Sequence, residues 1–553
     1  MSSSQSILKG LMVDEQLNIK NIMEFAEKFN PNQEIVTRTI EGPIHRYTMK
    51  ESAVRQRKVS QALKDLGIKV SDRVGTIAMN TYRHFELYYG ISCYGAVLNT
   101  INPRLHPEQL TYIVNHANDI LLFIDLPFLP IIEKLWNTFK CIKKVIILTD
   151  SAHMPKESPL QEYLLCYEDL IAKYDGVYKW PELDEYAASS LCYTSGTTGN
   201  PKGVLYSHRS TLIHTYRIAG GFTAGLNGES TLLPVVPMFH ANAWGLVYCA
   251  PICGFKLVLP GIKMDGASIY ELISQEQVVV SFGVPTVWNM LLKYCAENGK
   301  KMTSLKGTYI GGSAVPQSLI KGFWTDHDCV VYQGWGMTEM SPLGTLTQLT
   351  PEIQKLPLSE RQAYSGKAGK AVFGCDMKII DENGKELPHD GEQQGELIVR
   401  GPSIASAYFN DDKKDVFLKD GWFMTGDIAK IDQNGWLTIT DRSKDVIKSG
   451  GEWVSSLDLE DAAMGHPNVY EAAVIGVYHP KWDERPLLIV NKKNKDKELT
   501  KEDLKQFLVN KVAKFWLPDD IVIVDKELPK QATGKIWKRV LREDYKDYKL
   551  PTY

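Results

Sequence analysis

"YTSGTTGNPKGV" occupies residues 193–204. Gly196, Gly199 and Gly203 let the backbone turn and aim amide N–H groups inward, while Ser195, Thr197 and Thr198 add hydroxyls and Lys202 a full positive charge. The spacing departs from the common nucleotide-binding phosphate loop, because Gly199 is followed by Asn200, Pro201 and Lys202 rather than by Lys and a hydroxyl residue. "SSLCYT" ahead of it reads as a strand and "SHRSTLIHTYRIA" behind it as a helix. The stretch is therefore placed at a strand–loop–helix turn, where anions bind.

The flanking chain carries the same α/β rhythm. "RVGTIAMN" (73–80), "ILLFID" (120–125) and "KVIILTD" (144–150) read as strands, and "FELYYGISCYGAVLNTI" (85–101) as a helix. "VVVSFGVP" (278–285) leads into the helical "TVWNMLLKYCAENG". Strands alternating with helices predict parallel sheets with crossover connections. From about 366 to 440 the texture changes to short strands and turns ("KIIDENGKEL", "GELIVRGP", "WLTITD"), as in a small antiparallel sheet or barrel. Beyond "DRSKDVIKSGGEW" a Lys-rich α+β tail begins, which puts the main boundary at Asp441.

Bulk numbers narrow the class. The 553 residues exceed one core, and 44% hydrophobic with 23% charged residues is ordinary for a water-soluble chain. A net charge of −3 gives no reason to expect a nucleic-acid partner. "MSSSQSILKGLMVDEQ" has no basic stretch followed by a long apolar run, and the final "LPTY" is no targeting address, so no secretory leader is expected. The most apolar region, 231–260, holds His240, Asn242, Lys256 and four prolines, and reads as core or pocket wall rather than an integral membrane segment. Nine dispersed cysteines, without any Cys-x-x-Cys, predict reduced thiols in a cytoplasmic protein, with Cys249 and Cys253 buried rather than metal-bound.

The opening stretch resembles the signature of adenylate-forming enzymes, the superfamily of acyl-CoA synthetases, firefly luciferase and peptide-synthetase adenylation domains. "QGWGMTE" (333–339) resembles that family's adenine motif and "GWFMTGD" (421–427) its ribose motif. "DRSKDVIKSGGEWVSS" (441–456) resembles its hinge, and "PKQATGKIWKR" (529–539) its C-terminal catalytic-lysine motif. The matches fall in family order over essentially the whole chain. The implied fold is α/β: a large N-terminal domain (1–440) of parallel α/β sheets plus a small β-barrel, a hinge (441–446), and a small mobile α+β C-terminal domain (447–553).

The resemblance also implies roles. The loop Thr194–Lys202 would hold the β- and γ-phosphates of ATP, and Thr194 and Glu339 would anchor Mg²⁺. Asp427 would take the ribose hydroxyls, and Gln333, Gly334, Trp335 and Thr338 would surround adenosine, with Gly312 on the nucleotide side. Trp335 stands where many relatives have Tyr, which keeps an aromatic face but loses a phenolic hydroxyl. Lys535 would reach the α-phosphate and carboxylate, Arg442 sits beside the hinge residue Asp441, and Lys444 and Lys448 would touch phosphate or ribose.

"PMFHANAWG" (237–245) lacks the Asp that amino-acid-activating relatives carry, and little chain follows Lys535, so an aminoacyl substrate and an appended carrier domain are not expected. Val235, Trp244, Gly311 and Met337 are candidate walls of an acyl tunnel, alongside Gly245, Val284, Pro285 and Ala314. "MFHANAW" and "IKSGGEWVSSLDLE" are similar to bacterial long-chain fatty acyl-CoA synthetases. In those enzymes the counterpart of Trp244 gates the tunnel, while His240 and Trp453 line the neighbouring region, 448–453 lines the CoA tunnel, and homodimers are common. The expected activity is fatty acid–CoA ligation with ATP, Mg²⁺ and CoA. A medium-chain or aryl acid, a carrier-protein acceptor, or a silent nucleotide-binding module are the competing readings.

Overall fold

The computed structural model of the chain describes residues 8–194, 200–222, 230–412, 415–449, 452–494, 497–509, 511–531 and 534–552, with side chains left out at 221, 222, 452 and 453. Three sheets organise it. The first runs, in spatial order, Leu164–Cys166, Lys144–Ile147, Asp119–Ile124, Arg73–Ile77, Val97–Thr100, Ala188–Tyr193 and Gly203–Ser207. Its pairs are all parallel except the last. The strands before Gly203–Ser207 are short runs largely buried on both faces, as crossover helices on either side require.

The second sheet has 13 strands. From an antiparallel edge strand, Ile44–Thr48, it passes to a parallel middle that runs from Glu34–Arg38 through Lys256–Leu259, Thr231–Pro234, Val280–Gly283 and Gly307–Gly311 to Val330–Gly336. Antiparallel strands extend it from there: Leu343–Leu346, Gly369–Ala371, Trp436–Arg442, Phe423–Ile431, Gly395–Arg400 and Asp376–Ile380. The short strands expected after 366 are thus present as a continuation of this sheet. Among the described residues no strand pairing closes them into a separate barrel: Asp376–Ile380 pairs as a strand with Gly395–Arg400 and stands last in the order. In the third sheet Asp483–Lys492 lies between Val469–His479, to which it is antiparallel, and Asp520–Val524, to which it is parallel, and the sheet carries helices Ser456–Met464 and Lys501–Val509.

Two sequence expectations are corrected. The helix read over 85–101 spans Tyr82–Ser92; Gly95, at φ +102°, turns the chain into the strand Val97–Thr100, whose apolar residues had mimicked a continuing helix. The signature loop is not followed directly by a helix. Gly203–Ser207 is a strand antiparallel to Ala188–Tyr193, so the loop tips a hairpin and the helix His208–Phe222 starts one strand later. The β-branched and aromatic character of "GVLYS" fits a half-buried strand, and among the described residues no helix N-terminus adjoins the loop.

Cys249 and Cys253, one helical turn apart in Leu246–Cys253, place their sulfurs 3.8 Å apart, and both are free thiols. Among the described residues no helix is long and apolar enough to cross a membrane.

Candidate active site

The strand Val330–Gly336 and the turn after it lead into one cleft. Gln333 is fixed on both backbone sides by Thr347: its N–H donates to Thr347 Oγ1 at 3.0 Å and its carbonyl accepts from Thr347 N at 2.8 Å. Its side-chain Oε1 is buried with no donor among the described residues. Gly334 meets the Gly307–Gly311 strand so closely that a Cβ on Gly311 would stand 2.7 Å from the Gly334 carbonyl. Trp335 fits because Gly344 has no side chain; a Cβ there would lie 2.8 Å from the indole.

Two further strands supply a carboxylate and a guanidinium. Asp427 and Arg442 face each other as register partners. Asp427, 1% exposed, accepts from Trp335 Nε1 at 2.8 Å on Oδ2 and pairs with Arg442 Nε at 2.7 Å on Oδ1. Burial pushes its carboxyl up, opposed by Arg442, Trp335 and Lys535.

Glu339 lies in the turn Thr338–Met340, 6% exposed. Tyr408 Oη donates to its Oε1 at 2.7 Å, and the loop is tied down by Ala405 N–H donating to the Glu339 carbonyl at 2.8 Å. Burial raises this carboxyl, with Tyr408, Arg442 and Lys202 pulling it back. Tyr206 Oη donates to the Thr338 carbonyl at 2.5 Å, linking the turn to the signature hairpin. At the hairpin neck Thr194 N–H donates to the Lys202 carbonyl at 2.9 Å, and Lys202 N–H to Thr194 Oγ1 at 3.3 Å. Lys202 Nζ stands over the Tyr408 ring, 4.5 Å from its centroid. Ser195, Gly196, Thr197, Thr198 and Gly199 lie outside the described residues, as does the Trp453 side chain.

From the third-sheet side, Gln531 and Lys535 close a tight turn (Gln531 N–H to the Lys535 carbonyl, 2.7 Å) against the larger part of the molecule, where a Cβ on Gly534 would sit 3.7 Å from Thr286 Oγ1. The Lys535 side chain is open to cleft solvent, yet protein crowds it on the remaining sides. That desolvation and the Arg442 charge lower its pKa to about 8, against the raising effect of Asp427. Half-buried His240 is pushed down to about 4 by burial and by Lys535, so its imidazole is neutral near pH 7. His240 shares a small cavity with Thr194, Tyr193, Phe239 and Asn102.

The apolar candidates divide. Trp244 leans on Gly311 and Gly312, its ring carbons 3.4 and 3.9 Å from where their Cβ atoms would be, and Val284 covers Gly312 at 3.4 Å. Met337 packs at the edge of the same core as Trp244, whereas Val235 is buried in a different cluster. Lys444 and Lys448 are exposed, and Lys448 N–H donates to Glu484 Oε2 at 3.0 Å. Sequence reading passed over Tyr408: "SIASAYFN" carries no motif-like spacing, and its role is visible only once the 403–409 loop packs under the hairpin.

The profile of the AMP-binding enzyme family matches residues 24–409, and that of the AMP-binding enzyme C-terminal domain matches 458–535. The chain is 46% identical over 548 residues to a medium-chain fatty acid–CoA ligase of Ectopseudomonas oleovorans, covering 98% of each. It is 40% identical over 540 residues to a long-chain fatty acid–CoA ligase of Thermus thermophilus, covering 97% of each. Among solved structures, an anthranilate CoA ligase in complex with anthranoyl-AMP superposes with a TM-score of 0.85 at 24% identity, over 98% of this chain and 99% of the other.

Proposed function

The chain belongs to the AMP-binding enzyme family, and on that premise we propose that it is an ATP-dependent fatty acid–CoA ligase. The observation that carries the reading is that Lys535, from one end of the chain, stands within electrostatic reach of the Asp427–Arg442 ion pair and of the neutral His240 imidazole.

In the first step a carboxylate oxygen of the acid attacks the α-phosphorus of ATP. The bond to the β-phosphate oxygen breaks, leaving acyl-adenylate and pyrophosphate. Negative charge gathers between the two reactants, and the Lys535 ammonium is the group that offsets it. Asp427 accepts from the ribose hydroxyls, Trp335 offers an aromatic face to adenine, and the unpartnered Gln333 Oε1 provides an acceptor for an amino group. The loop 194–202 and Lys202 would take the β- and γ-phosphates. The Thr194 hydroxyl and the buried Glu339 carboxylate form an all-oxygen donor set that would hold Mg²⁺, and the cation would supply positive charge beside the phosphates. His240, uncharged, would hold the carboxylate at the mouth of the acyl pocket. In the second step the CoA sulfur, having lost its proton, bonds to the acyl carbon and AMP leaves. The segment 441–446 serves as the hinge between the steps, and Lys444, Lys448 and Trp453 meet CoA or nucleotide in the second pose.

Long-chain acids are the first substrate reading. Medium-chain acids are the second, favoured by the seat of Trp244 on Gly311–Gly312 and by the 46% identical relative. A cytoplasmic homodimer completes the proposal. The test is AMP release with ATP, Mg²⁺ and CoA across acids from acetate to palmitate, with benzoate and coumarate alongside. CoA-dependent release that rises with alkyl length supports the reading; a maximum at an aryl acid, or no release without a carrier protein, overturns it.

A further inference from the structure

Tyr408 does two things with one side chain. Its hydroxyl donates to Glu339 Oε1 at 2.7 Å, and its ring face receives the Lys202 ammonium at 4.5 Å from the centroid. Lys202 and Glu339 are close enough to feel each other's charge, yet among the described residues they form no ion pair. The phenol is wedged: it is 9% exposed, packs on Cys192, Val204 and Tyr206, and meets Phe417 edge-on at 5.1 Å. The 403–409 loop is pinned at both ends, by Ala405 N–H on the Glu339 carbonyl and by Phe409 N–H on the Gly203 carbonyl, each at 2.8 Å.

We infer that Tyr408 is a positioning residue that keeps the phosphate-facing cation and the metal-facing carboxylate apart and available. The inference rests on the proposed adenylating function. A lysine beside a buried glutamate would ordinarily collapse onto it, which would cancel both charges before nucleotide arrives. The ring gives the ammonium an alternative resting place. The hydroxyl gives the carboxylate a donor on Oε1, which fixes that oxygen and leaves Oε2 to face an incoming cation. When nucleotide binds, Lys202 can leave the ring for a phosphate without breaking an ion pair.

The test is calorimetric titration of ATP and Mg²⁺ into the full chain carrying Tyr408→Phe, Tyr408→Leu, or Tyr408→Leu with Lys202→Met. ATP affinity in EDTA is measured as the reference. Losing the hydroxyl in Tyr408→Phe raises the Mg²⁺ midpoint for nucleotide binding about tenfold, while affinity in EDTA stays within about twofold. Tyr408→Leu raises the midpoint further, and Lys202→Met in that background lowers it again at saturating nucleotide, because the competing ion pair is gone. An unchanged Mg²⁺ midpoint in Tyr408→Phe overturns the inference, as does an equal loss of affinity with and without Mg²⁺, which would mark Tyr408 as packing alone. Acyl-adenylate formation is followed in the same samples. Its absence from the wild type with every acid overturns the proposed function, whereas wild-type Mg²⁺ dependence in Tyr408→Phe overturns this inference only.

Discussion

Lys535 titrates within reach of ordinary assays. With its pKa lowered to about 8, it is charged below that pH, and each further unit of pH removes about tenfold of the cation. The rate of acyl-adenylate formation should follow the cation. Thus kcat/KM for ATP, which reports the free enzyme, is expected to fall above pH 8, while kcat falls only at higher pH because bound phosphates raise the lysine. Hydroxylamine trapping of the adenylate measures this without CoA, whose own thiol titrates nearby. Asp427 raises Lys535, so Asp427→Asn should move the fall to lower pH. The same change should raise KM for ATP by about 10- to 100-fold, the worth of a hydrogen bond to a buried charge. Lys535 and Asp427 as candidates for these roles were legible in their motifs. That Trp335 Nε1 reaches Asp427 was not, because residues 92 positions apart meet only through sheet register.

At the scale of elements, the turn Ala241–Trp244 is the unusual one. Its four residues all have positive φ, from 42° to 56°, and Gly245 follows at 81°. Each non-glycine residue held there costs about 1–2 kcal/mol, an expense that the buried surroundings must offset to keep Trp244 over Gly311–Gly312. Trp244→Ala is expected to shift the preferred acid to longer chains, with a gain of about fourfold in kcat/KM for each CH₂ newly accommodated. An unaltered length profile would remove Trp244 from the tunnel. Gly245 has no alternative residue, since a Cβ would lie 2.7 Å from His214 Nδ1. Gly245→Ala should lower stability by about 1–3 kcal/mol in a denaturant titration. Gly220→Ala, on a helix with nothing within 4 Å of its Cβ, should leave stability unchanged or raise it by up to about 1 kcal/mol. "HANAWG" has the residues to form an ordinary helical start, so no local pattern announced a left-handed turn; contacts from His214 and the Gly311 strand impose it.

On the whole-molecule scale, the third sheet is attached through Asp441. Its buried carboxylate accepts from Ser456 N at 2.6 Å and from Ser456 Oγ at 3.0 Å, while Lys538 Nζ donates to Ser456 Oγ at 2.6 Å and pairs with Glu460 at 2.7 Å. These bonds tie Asp441, the first residue of the proposed hinge, to the smaller unit. A cleft of about 510 Å³ separates Gln317 and Ser318 from Asp458, Asp461, Ala462 and Trp516. Joining Ser318→Cys to Ala462→Cys with a short dithiol cross-linker should hold the pose that presents Lys535. Adenylate formation is then expected to persist and thioester formation to stop, with recovery on reductive release of the linker. Loss of both steps, or of neither, would argue against two alternating poses.

The residue string by itself determined the α/β class and named the candidate site residues, because loop glycines, the lysines, Glu339 and Asp427 stand in short local patterns that can be read without distant chain. It also placed most strands, since buried parallel strands are apolar runs bounded by turns. Only the tertiary structure decided that the signature tips a hairpin, that the short strands after 366 extend a 13-stranded sheet, and that Tyr408 stands between Lys202 and Glu339. Those outcomes depend on which strand edge finds which partner. That choice is made by burial summed over the whole core, and no window of sequence contains it.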